Sequence, residues 1–373
     1  MKKKLGFRQI LSIVTFILVV IVVWNARKEL ASALDYLAHT NIVVILLLIP
    51  EQLLMYYSAG QMFFSFMAAK KDAKEISSWQ LMRIAFEMNF VVQAIPSGGV
   101  SGIGYTAWRL KPYGVQPGQT SFMYVLRYAI TTFANQAQTL VAIVVLLITG
   151  TVAVENRYVL RIAAIVAIVV IGMVVGGIWI AGKKKILNWV ADRVMRLANW
   201  LVSIVTFGHK RDVLKAEKVK KFCDDIAVDY EEARQHKAIL KKPILWGFLY
   251  SFLEVATYWI IAISMGHPEL LPQIMVGEAV ASVLGAVLPT PGGAGGYEVS
   301  MAAVMWALGV DLGLATAVVV TTRVIILLGT IVSGYGFYQH AISKLGKDEV
   351  AEIKEAEKEA LKETETKQGE DGR

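Results

Sequence analysis

Two stretches decide how this chain folds: Pro96-Ser97-Gly98-Gly99-Val100-Ser101-Gly102-Ile103-Gly104-Tyr105 and Pro289-Thr290-Pro291-Gly292-Gly293-Ala294-Gly295-Gly296-Tyr297-Glu298. Each interrupts an apolar run. The likeness continues beyond the glycines, because Leu110 and Gly114-Val115 find counterparts in Leu308 and Gly309-Val310. Arg127 follows Gly114 by 13 residues and Arg323 follows Gly309 by 14, both inside apolar sequence. A proline, a glycine cluster, a tyrosine, a Gly-Val pair and an arginine therefore recur in one order. Proline interrupts a helix, and glycine supplies the turns and close approaches a tight reversal needs. Backbone at membrane depth leaves the helix only where it is buried in protein or lines a wet cavity.

The rest of the chain explains why membrane depth is the right frame. Of 373 residues, 55% are hydrophobic and 18% charged, against about 45–50% and about 25% in soluble domains. The apolar residues fall in blocks at 10–24, 41–67, 79–95, 121–147, 162–181, 243–265, 272–288, 297–310 and 312–338. Runs of this length are membrane-span patterns, which excludes a soluble enzyme, a disordered chain and a secreted scaffold. The block at 10–24 follows Met1-Lys2-Lys3-Lys4 but lacks a small-residue cleavage site, so it reads as a retained helix. The single Cys223 can form no internal disulfide. The net charge of +8 belongs to basic cytoplasmic loops and does not indicate a nucleic-acid partner.

Charge then sets the expected orientation. Residues 183–242 carry 15 Lys/Arg against 8 acids, and Lys2, Lys3, Lys4 and Arg8 mark the N-terminus, so both regions are placed in the cytoplasm. The connections at 25–40, 151–161 and 266–271 are poor in basic residues and are placed outside. Two segments fail as simple spans, because 79–110 begins and ends near cytoplasmic charges and 272–310 begins and ends outside. The expected fold is an all-α polytopic membrane protein with six full spans and two re-entrant hairpins of opposite orientation. Those hairpins lie in an inverted repeat, with 41–147 as the first copy and 243–338 as the second. Residues 1–342 form the transmembrane domain, 183–242 its cytoplasmic amphipathic helices (186–207 and 213–236), and 343–373 a charged cytoplasmic tail. A phosphate-cradling nucleotide loop needs a strand before its glycines, and none is indicated.

Eight ionisable residues fall in or at the ends of apolar blocks: Glu51, Arg83, Glu87, Arg127, Glu254, Glu278, Glu298 and Arg323. A charge at the bilayer centre costs about 2.5–3.5 kcal/mol on insertion scales, so these residues should pair or face a cavity. Glu87 and Arg83 stand four apart, the spacing of a same-face ion pair. Glu87, Glu254 and Glu278 are candidate buried carboxylates, and Glu254 and Glu278 read either as structural partners or as proton carriers. Arg127 and Arg323 offer planar donor forks suited to phosphate. They read either as head-group ligands, with Tyr105, Tyr297 and Glu298 beside them, or as clamps holding the hairpins. Asn89, Gln93, Asn135, Gln136 and Gln138 add polar lining or interhelical hydrogen bonds. The five histidines lie in loops or at helix ends, and no catalytic set or metal-ligand cluster can be assembled, so no cofactor is expected.

The hairpin motifs are Pro96, Gly98, Gly99, Gly102 and Gly104 in the first and Pro289, Pro291, Gly292, Gly293, Gly295 and Gly296 in the second. Of these, the run Pro291-Gly292-Gly293-Ala294-Gly295-Gly296-Tyr297-Glu298, with Pro96-Ser97-Gly98-Gly99 and Arg127, resembles the lysylphosphatidylglycerol synthase transmembrane-region family, also called flippase-like. The resemblance implies a bacterial cytoplasmic-membrane protein that moves phospholipids or aminoacylated or glycosylated lipids between leaflets. It also implies a link to a lysyltransferase that modifies phosphatidylglycerol. Only 35 residues follow Tyr338, fewer than a transferase domain needs. Lysyl transfer is therefore expected, if at all, from a separate enzyme working beside this chain, and a small-solute or ion transporter is the remaining alternative. Tyr105 is not followed by a glutamate as Tyr297 is, so the two tips are not chemically equivalent.

Overall fold

The computed structural model describes residues 36, 40–70, 76–94, 100–183, 186, 189, 192, 193, 195, 196, 216–236, 238–287 and 295–343. The expected span at 10–24, most of the amphipathic helix at 186–207, the tail from 344, and Pro96, Gly98, Gly99, Pro289, Pro291, Gly292 and Gly293 lie outside the described residues.

Among the described residues the chain is all-helical. A single helical turn, Ile42–Ile45, is capped by the Asn41 side chain accepting from the Val43 N–H at 3.0 Å. It leads into α1 (Leu48–Lys70), then α2 (Ser78–Ala94), α3 (Val100–Leu110) and α4 (Pro117–Thr149). After α5 (Arg157–Ala181) come α6 (Ala216–Gln235) and α7 (Ala238–Ser264). The last three are α8 (Leu271–Val287), α9 (Gly296–Ala307) and α10 (Leu312–Thr330), which continues through a π-turn at Ile331–Tyr335. Five helices are long and apolar enough to cross a membrane: Ile42–Met67, Gly118–Thr149, Val154–Ile180, Ala238–Ser264 and Leu312–Ser343. They coincide with five of the six spans read from hydropathy.

Several helices start earlier than the apolar blocks: at Pro117 for the block from 121, at Arg157 for the block from 162 and at Ala238 for the block from 243. The helix expected from Pro243 begins at Ala238, with Pro243 inside it and buried. The proline marks an early turn of α7 and not its start, as membrane helices tolerate when neighbours satisfy the freed backbone.

α2 and α3 fold back on each other, with Tyr105 bonded to Glu87 and Gly102 against Val92. α8 and α9 do the same, with Gly277 against Met301 and Met305. Each hairpin has its own apolar core. Phe66, Leu81, Met88, Leu110 and Phe122 surround the first, and Ile261, Ile274, Met301, Met305 and Val318 surround the second. α7 lies along α1 and joins the two halves through Tyr56, Met62, Met82 and Leu253. Ala233 and Tyr230 of α6 pack onto the first core, as the amphipathic pattern at 213–236 predicts.

Local chemistry sets the ends of the long helices. Gly114 and Gly309 adopt φ of 83° and 95°, a region open to glycine and strained for other residues. Each glycine ends one hairpin. The helix after Gly114 starts on Pro117, with the Gln119 side chain accepting from the Gln116 N–H at 3.1 Å. After Gly309, Asp311 caps α10 by accepting from the Leu314 N–H at 2.9 Å.

Candidate functional site

The buried polar residues gather along the faces where α1, α2, α4, α7, α8, α9 and α10 meet. In the first hairpin Glu87 is fully buried. Its carboxylate accepts from Arg83 Nε at 3.1 Å, Arg109 Nε at 2.6 Å, Arg109 Nη2 at 3.3 Å and the Tyr105 hydroxyl at 2.9 Å. The i,i+4 pair with Arg83 is as the spacing predicts. Arg109 is the residue that sequence reasoning missed. It lies four residues after Tyr105 on α3, and this shared helical face was the available signal.

In the second hairpin Glu298 accepts from the Gly295 N–H at 2.7 Å and from Arg323 Nε at 2.8 Å. The Arg323 guanidinium lies 4.7 Å from the Tyr297 ring centre, and Tyr297 stacks on Tyr258 with centroids 6.4 Å apart. Arg323 is therefore ion-paired to the first turn of α9.

Arg127 is different. Among the described residues no carboxylate lies within ion-pair distance of it. Its guanidinium sits 5.0 Å from the Tyr250 ring centre, with Nη1 3.6 Å from Met88 Sδ. Glu254, one turn along α7 from Tyr250, is within electrostatic reach of Arg127, Glu51 and Glu278. Glu51 accepts from Gln52 at 3.0 Å and Thr257 at 3.2 Å. Glu278 accepts from the Asn135 amide, and Asn135 Oδ1 in turn accepts from Gln136 Nε2 at 3.3 Å. Asn89 bonds the Tyr56 hydroxyl and reaches Thr330 at 3.3 Å, while Gln93 reaches Thr330 at 3.5 Å. Gln138 is half-buried, and its enclosed amide atoms have no partner among the described residues.

The two arginines thus part company: Arg323 is neutralised by Glu298, and Arg127 keeps its charge on an aromatic face beside a carboxylate-lined seam. Guanidinium in such a place can receive an anionic oxygen through parallel N–H donors. Of the motif glycines described, Gly102 fits tightly under Tyr124 and Val92, whereas Gly104 faces open space. Among the described residues no cluster could hold a metal ion.

The family described as "Lysylphosphatidylglycerol synthase TM region" matches residues 9–334. The chain belongs to this family. The lysylphosphatidylglycerol synthase transmembrane region is a membrane protein linked to lipid modification, in agreement with five membrane-length helices and a polar seam between them. No curated protein and no solved structure matched the chain.

Proposed function

We propose that this chain moves lipid head groups between the leaflets of a bacterial cytoplasmic membrane, its two termini in the cytoplasm. The two hairpins act as re-entrant elements of an inverted repeat, and the head group passes between them. The observation that carries the reading is Arg127, an arginine within a membrane-length helix, resting on Tyr250 and Met88 with no carboxylate at ion-pair distance among the described residues. Lipid chains stay in the bilayer while Arg127 binds the phosphate. Arg323, Glu298 and Tyr297 form the opposite wall, and Tyr105 belongs to the first. Phospholipids and aminoacylated phospholipids share the anionic phosphate that Arg127 suits, and glycosylated lipids share it where they carry a phosphate. The chain itself acts as a translocator and not as the enzyme. A separate soluble enzyme that modifies the lipid is the expected partner, a reading favoured by the family's name.

Reconstitution into vesicles with fluorescent phospholipids tests this. The protein is expected to accelerate leaflet exchange of at least one anionic head-group class, and Arg127→Ala to slow it about tenfold or more, the worth of a lost charge-assisted contact. Thermal melting should show the variant still folded. Exchange no faster than in empty vesicles, across phosphatidylglycerol, phosphatidylethanolamine and aminoacylated phosphatidylglycerol, overturns the proposal.

A further inference from the structure

The cluster on Glu87 lies away from the first hairpin's tip. Arg83 is in the second turn of α2 and Arg109 in the last turn of α3, so both stand where the hairpin meets the rest of the protein. Trp79, 59% exposed, and the half-buried Trp108 flank it. Tryptophan at that level is the mark of a membrane–water interface. The exposed Lys111 follows directly.

Charge does not balance there. Glu87 can cancel one guanidinium, but two converge on it, with side chains 21% and 20% exposed, and no second carboxylate is within 4 Å among the described residues. A guanidinium has five N–H donors. Arg109 spends Nε and one Nη2 bond on Glu87. Arg83 spends Nε on Glu87 and a long 3.4 Å bond on the Phe337 carbonyl. The remaining donors of both have no partner among the described residues. Glu87 therefore fixes two forks side by side and leaves one positive charge on the open side. Phe337 covers Arg83 at 5.2 Å and Trp108 lies 5.8 Å from Arg109, so apolar faces border the charge. A solvated anion has no use for aromatic walls, whereas a head group whose acyl chains remain in the bilayer fits both features.

We propose that Arg83 and Arg109, held by Glu87, form a second phosphate site that captures the head group of an anionic phospholipid at the interface. The site rests on the lipid reading above but is distinct from Arg127: it selects by charge at the base of the hairpin and not along the path. The same forks suit inorganic phosphate, and the test separates the two sources.

The full chain is placed in phosphatidylcholine nanodiscs doped with phosphatidylglycerol carrying a photoreactive head group, and the adducts are mapped to peptides. Adducts are expected at 105–113 or 335–338, with about tenfold lower yield in Arg83→Gln. Adducts around Arg127 provide the internal comparison, so this site can fail while the translocation reading stands. Equal labelling of these peptides by photoreactive phosphatidylcholine overturns the proposal, as does an unchanged yield in Arg83→Gln. Inorganic phosphate that abolishes the adducts as well as unlabelled phosphatidylglycerol overturns the lipid assignment. Should Arg83→Gln fail to fold, the wild type suffices: the adducts must weaken as salt screens the exposed charge, and a yield indifferent to salt overturns the site.

Discussion

Glu298 performs two tasks with one carboxylate, capping the first turn of α9 at the Gly295 N–H and neutralising Arg323. Substitution separates them. Glutamine retains a carbonyl oxygen for the cap but no charge, whereas alanine loses both. A cap is worth about 1 kcal/mol, and breaking a buried ion pair costs about 3–5 kcal/mol, less here because both side chains are partly exposed. Glu298→Ala is therefore expected to lower stability by about 3 kcal/mol and Glu298→Gln by about 1 kcal/mol less, read as thermal-melting shifts in detergent. Equal shifts would show that the cap contributes nothing. At this scale the sequence was legible where partners share a helix. Arg83 and Glu87 are four apart and pair as that spacing predicts. It was not legible for Arg109 and Glu87, because 22 residues and a chain reversal separate them. Nor could it decide between clamp and ligand for Arg323 and Arg127. That distinction depends on which carboxylate the tertiary fold brings alongside: among the described residues one lies within ion-pair distance of Arg323 and none within that distance of Arg127.

Helix against helix, the glycines sort into those the packing requires and those it leaves open. A Cβ on Gly60 of α1 would stand 2.8 Å from the Met82 nitrogen and 2.9 Å from the Leu81 carbonyl carbon, both backbone atoms of α2. Backbone cannot rotate aside, so α1 and α2 would have to separate. Gly334, in the π-turn of α10, meets the Phe90 Cβ at 2.6 Å and the Phe86 carbonyl oxygen at 3.0 Å. There the widened turn lets α10 cross close to α2. Among the described residues nothing lies within 4 Å of a Cβ on Gly104 of α3. Gly60→Ala is expected to destabilise by about 1–3 kcal/mol through overpacking. Gly104→Ala is expected to be neutral or to stabilise by up to about 1 kcal/mol, since alanine is the better helix former. Thermal melting of both variants checks the contrast, and if the lipid path runs over α3, Gly104→Ala should slow leaflet exchange while leaving melting intact. Motif reading had singled out Gly104 and passed over Gly60. A glycine inside an apolar helix carries no local sign of a neighbouring backbone, whereas glycines clustered beside a proline announce themselves.

For the whole molecule, the telling regularity is the order of lengths. In each half a long helix is followed by a 17-residue arm, a return arm of 11 or 12 residues, a glycine at positive φ, and another long helix. Much of this was legible in advance because proline, glycine and hydropathy act locally. The relation of the halves to the membrane rests on the charge asymmetry of the loops alone. That asymmetry makes a sharp prediction about the two glycine turns. Lys111, just before Gly114, and Leu312, just after Gly309, are both exposed and close equivalent hairpins. If the repeats are inverted, the turns lie on opposite faces: Lys111 on the cytoplasmic side with the basic loops, Leu312 outside. With Cys223→Ser as background, Lys111→Cys should react with an impermeant maleimide only after cells are opened, and Leu312→Cys should react in intact cells. Reaction of both from one side would mean parallel repeats, and the two tips could not then approach a shared midplane from opposite leaflets. The lipid path would have to be built from a single hairpin, and Arg127 and Arg323, which follow those two turns at nearly equal distance, would no longer face each other across it.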